Sequence, residues 1–254
     1  MLSKEEAVTF MEITSLENKS VKLAASLQKK KYRDLHGKFL IEGMKLIREA
    51  MAFGYEFDSV FYVPDKVAYD LDLPAYEVSY EILCKITDTV TPQGIAAIVK
   101  GKEPDFVKLQ KAQRVVYLDR VQDPGNVGTI IRTADAFGFD AVILSKECAD
   151  LYSPKVLRSA MGSVFHLEIY RDFSAEDLMK LGKKIYSSSL EASNMPEKIE
   201  LPAVLVIGNE GQGISEEIKA VTDEFVKIPM AGNAESLNAS IAAGILLYEF
   251  RLKY

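Results

Sequence analysis

Apolar positions along this chain recur in two tempos, one of them helical. Between Ser15 and Lys31, Leu16, Val21, Leu23, Ala24 and Leu27 fall mostly at helical intervals with basic side chains between them, which predicts one helix. Lys38-Phe-Leu-Ile41 predicts a short strand, and a second helix runs from Gly43 to about Ala52. Ser59-Val-Phe-Tyr-Val63 reads as a strand closed by Pro64-Asp65, and Gly94–Lys100 as another. Residues 1–14 read as a short leader of weak helical character. The first hundred residues therefore predict a compact alternating α/β module.

Gly101-Lys-Glu-Pro104 is polar and breaks structure, which marks a linker. Beyond it the second tempo takes over. Val115–Leu118, Ala141–Leu144, Ile185–Ser188, Ala203–Ile207 and Phe225–Ile228 are continuous apolar or β-prone runs, as expected of strands buried on both faces of a parallel sheet. Helices are expected at Val127–Phe137, Ser174–Lys183, Ser215–Ala220 and Ser236–Leu252. The fold class that follows is α/β in two domains, residues 1–100 and 113–254, the second with a mainly parallel sheet.

Composition narrows the function. With 48% hydrophobic and 27% charged residues, the 254-residue chain has the make-up of an ordinary globular protein. No apolar run approaches the roughly 18 to 20 residues of a membrane span, and Met1-Leu-Ser-Lys-Glu-Glu6 lacks the layout of a secretory signal. Cys84 and Cys148 stand alone, which favours buried or idle thiols of a reducing cytosol over a disulfide, and with His36 and His166 they offer little material for a metal site or a His-based triad. Net charge is −6, yet Lys19 to Arg48 holds nine Lys/Arg against Asp34 and Glu42, a local +7 that leaves −13 to the remainder. That asymmetry has the form of a confined anion-binding surface, although a solvated helix face gives the same run.

The chemistry concentrates in three corners, each placing glycines and polar groups directly after an apolar strand. They are Asp123-Pro-Gly-Asn-Val-Gly-Thr-Ile-Ile-Arg132, Ile207-Gly-Asn-Glu-Gly-Gln-Gly213 and Ile228-Pro-Met-Ala-Gly-Asn-Ala-Glu-Ser-Leu-Asn238. Strand ends of open α/β sheets are where ligands bind. The first corner lacks the Gly-Lys-Ser/Thr ending of a phosphate loop, and its glycine spacing misses the dinucleotide fingerprint. Taken alone, Asn126 reads as a helix cap, Arg132 as a charge that either exits to solvent or faces a site, and Glu210 as a turn acid or a site carboxylate.

In their shared order, the three corners resemble the three motifs of the SpoU/TrmH class of RNA ribose 2′-O-methyltransferases, in the SPOUT superfamily, over roughly residues 113–254. Thr14–Lys22, the Lys29–Arg33 cluster and Phe39-Leu-Ile-Glu-Gly43 resemble that family's substrate-binding domain, related in fold to ribosomal protein L30e. The resemblance implies a trefoil-knotted C-terminal α/β domain that dimerises through the knot, and a smaller L30e-like N-terminal domain. It implies S-adenosylmethionine as methyl donor, held by Leu190, Gly208, Ile228 and Leu237, with no metal. It implies catalysis by Arg132 with Asn126, Glu210, Ser236 and Asn238 around it, and RNA contacts from Asn18, Lys22, Lys29, Lys30, Lys31 and Arg33. The expected substrate is 23S-type rRNA ahead of tRNA, and the expected location is cytoplasmic. A non-catalytic RNA-binding or assembly factor of the same fold and a nucleotide-dependent oxidoreductase are the competing readings.

Overall fold

The structure, a computed structural model, describes residues 10–190, 192 and 196–253. Most of the expected leader, residues 1–9, lies outside the described residues. Two compact units divide the chain, the first running up to Lys102 and including residues 152–154, the second taking in Glu103–Leu151 and everything from Lys155 onward.

The first unit contains β1 (Phe10–Ile13), α1 (Lys19–Ser26), α2 (Lys30–His36), β2 (Lys38–Glu42), α3 (Met44–Ala52), β3 (Phe57–Tyr62), β4 (Ala75–Val78), α4 (Tyr80–Ile86) and β5 (Ile95–Lys100). Its five strands form a mixed sheet in the order β1-β4-β3-β5-β2. Val21, Ala24 and Leu27 of the amphipathic first helix pack with Phe61, Ile82 and Ile98 in one core.

Two expectations fail here. Phe10–Ile13 is a strand beside β4 instead of leader helix. The single helix expected over Ser15–Lys31 is two helices, because tertiary hydrogen bonds hold the break. The buried Arg33 guanidinium donates to the Leu27 carbonyl at 2.7 Å, and the Gln28 amide donates to the Thr87 carbonyl at 2.9 Å. Carbonyls left over at a helix end need such partners, and periodicity cannot see them.

The second unit contains α5 (Phe106–Lys111), β6 (Arg114–Leu118), α6 (Pro124–Ala136), β7 (Ala141–Leu144), α7 (Pro154–Ala160), a 3₁₀ turn (Ser163–Phe165), β8 (Glu168–Tyr170), α8 (Ala175–Met179), β9 (Lys184–Ser188), β10 (Ala203–Ile207), α9 (Glu216–Val221), β11 (Glu224–Val226) and α10 (Ala239–Leu252). Its six strands lie in the order β11-β9-β10-β6-β7-β8, and every pairing is parallel. Strands β7 and β10 are buried at every position, which is why they read as unbroken apolar runs.

Three boundaries shift. The helix expected over Ser174–Lys183 ends at Met179, with Gly182 left-handed just beyond it. The strand expected to reach Ile228 stops at Val226, and the last helix opens at Ala239 instead of Ser236. Ile228–Leu237 is thereby released as loop. Among the described residues, no helix is long and apolar enough to cross a membrane.

Candidate active site

Parallel pairing puts the carboxyl ends of β6, β10, β9 and β11 on one edge of the sheet, and all three corners leave from that edge. The second corner is the most tightly built. Asn209 and Gly213 exchange backbone hydrogen bonds at 2.9 and 3.0 Å. The Asn209 side-chain oxygen accepts from the Gly211 and Gln212 amides at 2.9 and 3.0 Å, and its amide donates to the Arg120 carbonyl at 2.7 Å. A Cβ at Gly208 would stand 2.5 Å from the Gly213 carbonyl carbon, so only glycine admits this closure.

This loop delivers Glu210 to the mouth of α6. The Asn126 amide donates to Glu210 Oε1 at 3.0 Å, and the Asn238 amide donates to Asn126 Oδ1 at 3.1 Å. One side chain from each corner thus enters a single hydrogen-bonded series, Glu210–Asn126–Asn238. Glu210 also accepts from the Asp123 amide at 3.3 Å and the Gln122 amide at 3.4 Å. Partial burial pushes the Glu210 carboxyl up, but the Asn126 amide and the backbone N–H groups outweigh it, and the net displacement is downward.

Asn126 does not cap α6. Asp123 does, accepting from the Asn126 backbone N–H at 2.9 Å, with Pro124 in the first helical position. Capped by Asp123, the helix leaves the buried Asn126 side chain to bridge the other two corners. Asn238 does cap its helix, accepting from the Ser240 and Ile241 amides at 2.9 and 3.3 Å.

Beside this series lies a cavity of about 440 Å³. Leu190, Gly208, Ile228 and Leu237 all line it, as do Glu210 and Ser236, whereas Asn126, Arg132 and Asn238 stand outside the lining. Ile207 and Leu246 extend its apolar wall. The loop residues bring backbone N–H and C=O groups to the rim, a combination suited to a flat heterocycle that needs a slot and edge hydrogen bonds. Among the described residues no group of side chains is arranged to hold a metal ion.

Arg132 is exposed on α6, and among the described residues no hydrogen bond or ion pair engages it. In the first unit, Asn18 caps α1 through the Ser20 amide at 2.8 Å, Lys22 pairs with the exposed Glu17, and Lys29, Lys30 and Lys31 are exposed. Arg33 corrects the expectation of a phosphate contact: it is 6% exposed and committed to the Leu27 carbonyl.

Sequence reasoning missed Asp123 and Asn209, the two residues that shape the loops. Asp-Pro ahead of an apolar-periodic stretch is a legible cap signal. An asparagine set between glycines and bonded to its own loop is a legible turn signal.

Comparison with known proteins adds to this geometry. The SpoU rRNA Methylase family matches residues 113–248, and an MRM3-like substrate binding domain matches residues 18–97. The 23S rRNA (guanosine(2553)-2′-O)-methyltransferase RlmP of Bacillus subtilis (strain 168) is 38% identical over 250 residues, 94% of this chain and 99% of RlmP. The AdoMet-bound rRNA methyltransferase of Sinorhizobium meliloti superposes with a TM-score of 0.84 at 34% identity, covering 96% of this chain and 98% of that one. The SpoU methyltransferase AviRb of Streptomyces viridochromogenes, in complex with AdoMet, gives 0.84 at 27% identity, covering 93% and 98%.

Proposed function

The chain belongs to the SpoU rRNA methylase family, and from that premise we propose that it methylates a ribose 2′-hydroxyl of 23S-type rRNA with S-adenosylmethionine as donor. The observation that carries this reading is the Glu210–Asn126–Asn238 series, which ties the three corners together beside the 440 Å³ cavity. The cavity fits the donor in chemistry: apolar walls from Ile228 and Leu237 for an adenine ring, and backbone groups around Gly208 and Leu190 for its edges. Bound there, S-adenosylmethionine supplies a methyl group already activated by a positively charged sulfur.

The chain's own residues must then align the acceptor hydroxyl and manage the charge that develops on its oxygen. Arg132 does the second: its planar guanidinium grips a neighbouring phosphate and stabilises the oxygen as the hydroxyl proton leaves to solvent water, because arginine keeps its own proton. Asn126 does the first, braced by Glu210. With both oxygens engaged and its acidity raised, Glu210 is a poor proton acceptor and a firm brace for Asn126. Ser236, exposed at the cavity lining, and Asn238 complete the acceptor side. Asn18, Lys22, Lys29, Lys30 and Lys31 bind RNA, chiefly through phosphates. The exposed Lys22–Glu17 pair costs little to exchange for one.

The functional form is a homodimer in the cytoplasm, with a trefoil knot in the second unit. Supporting the dimer, Ile241, Ile245, Tyr248 and Leu252 form one stripe along α10, each 38–58% exposed. Sedimentation should give a dimer, and Ile245→Asp a monomer. Supporting the knot, the Ile199 amide reaches the Lys253 carbonyl at 2.8 Å, bringing the chain's last residues against the β9–β10 connection. Pulled from both ends, a knotted chain should stop short of its full contour length.

Mapping 2′-O-methylation in rRNA and tRNA from a deletion strain tests the activity. One rRNA position should lose its methyl and regain it with the wild-type gene. An unchanged rRNA map, or loss at a tRNA position alone, would overturn the substrate.

A further inference from the structure

We infer that the seam between α6 and residues 155–166 seats the acceptor nucleotide, with Met161 packing on its base and Lys155 and Arg158 contacting flanking phosphates. The inference rests on the methyltransferase reading and adds an acceptor platform to it.

The two segments run in step. Lys155 Nζ meets Asp123 Oδ2 at 3.1 Å at one end. In the middle, a Cβ on Gly128 would lie 2.6 Å from both Ser159 Cβ and the Val156 carbonyl, so the backbones touch there. At the far end His166 Nδ1 lies 2.7 Å from Asp135 Oδ2. As α6 advances from 123 to 135, its neighbour advances from 155 to 166. The turn at Met161–Gly162 therefore falls alongside Ile131 and Arg132. Ile131 is buried in the core, so the exposed Arg132 is the group that shares this surface with the turn.

Met161 is unusual on two independent counts. Its φ is +52°, and Gly162 follows at +99°. A left-handed pair of this kind suits glycine at both positions. The chain instead carries methionine at the first and leaves it 50% exposed, where burial contributes little. Strain retained without packing benefit is a mark of function, and a polarisable thioether is well matched to an aromatic face such as a nucleobase. Lys155 and Arg158 are both exposed on α7, one turn apart. With Arg132 they make three cations along one seam of a chain whose net charge is −6. Asp135 meets His166, and Asp123 caps α6 while holding Lys155 in an exposed pair that costs little to exchange for a phosphate.

The test uses the full-length protein and 23S rRNA purified from a strain lacking the gene, with transfer of a labelled methyl group as readout. Met161→Gly gives the turn the residue its backbone favours, so thermal stability should hold or rise and donor affinity by calorimetry should stay unchanged. KM for the rRNA should rise by about two- to tenfold, the scale of losing one thioether–aromatic contact. Arg158→Gln should lower the slope of log affinity against log salt by about one. A wild-type KM in M161G, or a wild-type slope in R158Q, overturns the assignment. Failure of the wild-type protein to bind S-adenosylmethionine would bring down the activity reading instead, and the R158Q salt slope would still judge the seam.

Discussion

Glu210 and Arg132 are two of the charged groups the motifs bring to this edge of the sheet, and they are held in opposite ways. Glu210 accepts from one side-chain amide and two backbone amides, on a loop that glycine alone can close. Arg132 engages no partner among the described residues and points its charge into solvent. The carboxylate is spent on structure before any ligand arrives, while the guanidinium keeps its five donors for something the isolated chain does not contain. On the roles proposed for them, such a site separates its frame from its reagent. The separation can be tested, because the two residues should fail differently.

The largest effect is expected at Arg132. Arg132→Ala should leave unfolding within about 0.5 kcal/mol of wild type, as exposed positions do, yet lower turnover by about 10²- to 10³-fold, the loss typical of one donor to a developing oxyanion. Arg132→Lys should fall between, keeping charge but losing the planar fork. Wild-type turnover in either variant removes Arg132 from the chemistry. Asn126→Ala should give the converse pattern. It removes two part-buried hydrogen bonds at once, those to Glu210 and from Asn238, a cost of about 1–3 kcal/mol at about 0.5–1.5 for each. The thermal midpoint should drop by several degrees, with a smaller loss of turnover than Arg132→Ala. Unchanged stability would mean the series is not the frame.

The same contrast explains what the sequence disclosed. The parallel sheet was legible because β7 and β10 are buried on both faces and leave no polar residue to break their runs. The three corners were legible because glycines cluster in them, and at Gly208 the backbone closes too tightly for any other residue. Periodicity missed α7 and β8, seven and three residues long, because elements that short complete too few repeats. It also missed the α1–α2 break, which Arg33 and Gln28 hold from distant positions. Asn126 taken alone reads as the cap of α6, a place that Asp123 holds, since that competition is settled by geometry and not by residue type. Long-range hydrogen bonds are the recurrent omission.

The smallest effect, and the most specific, is in acid. The Glu210 carboxyl lies below the ordinary glutamate value of 4.5. A carboxyl whose folded value is depressed contributes stability that is fully present above the unfolded value and is lost as pH falls through the folded one. Glu210→Gln keeps the shape, but an amide offers one acceptor oxygen where the carboxylate offers two. At neutral pH the wild type should therefore be the more stable of the pair. On acidification below 4.5 the gap should close, as the wild-type carboxyl takes up the proton that the amide never needed. Asp123, also depressed, chiefly by the Asn126 backbone N–H and then by Lys155, is common to both proteins and cancels in the difference. Arg132→Ala supplies the control: the side chain it removes makes no hydrogen bond or ion pair among the described residues, so its stability difference from wild type should stay flat over the same range. Thermal melts of the three proteins across acid pH read both differences directly. A gap between wild type and E210Q that stays constant or widens in acid would mean that Glu210 is not the ionised brace its hydrogen bonds describe.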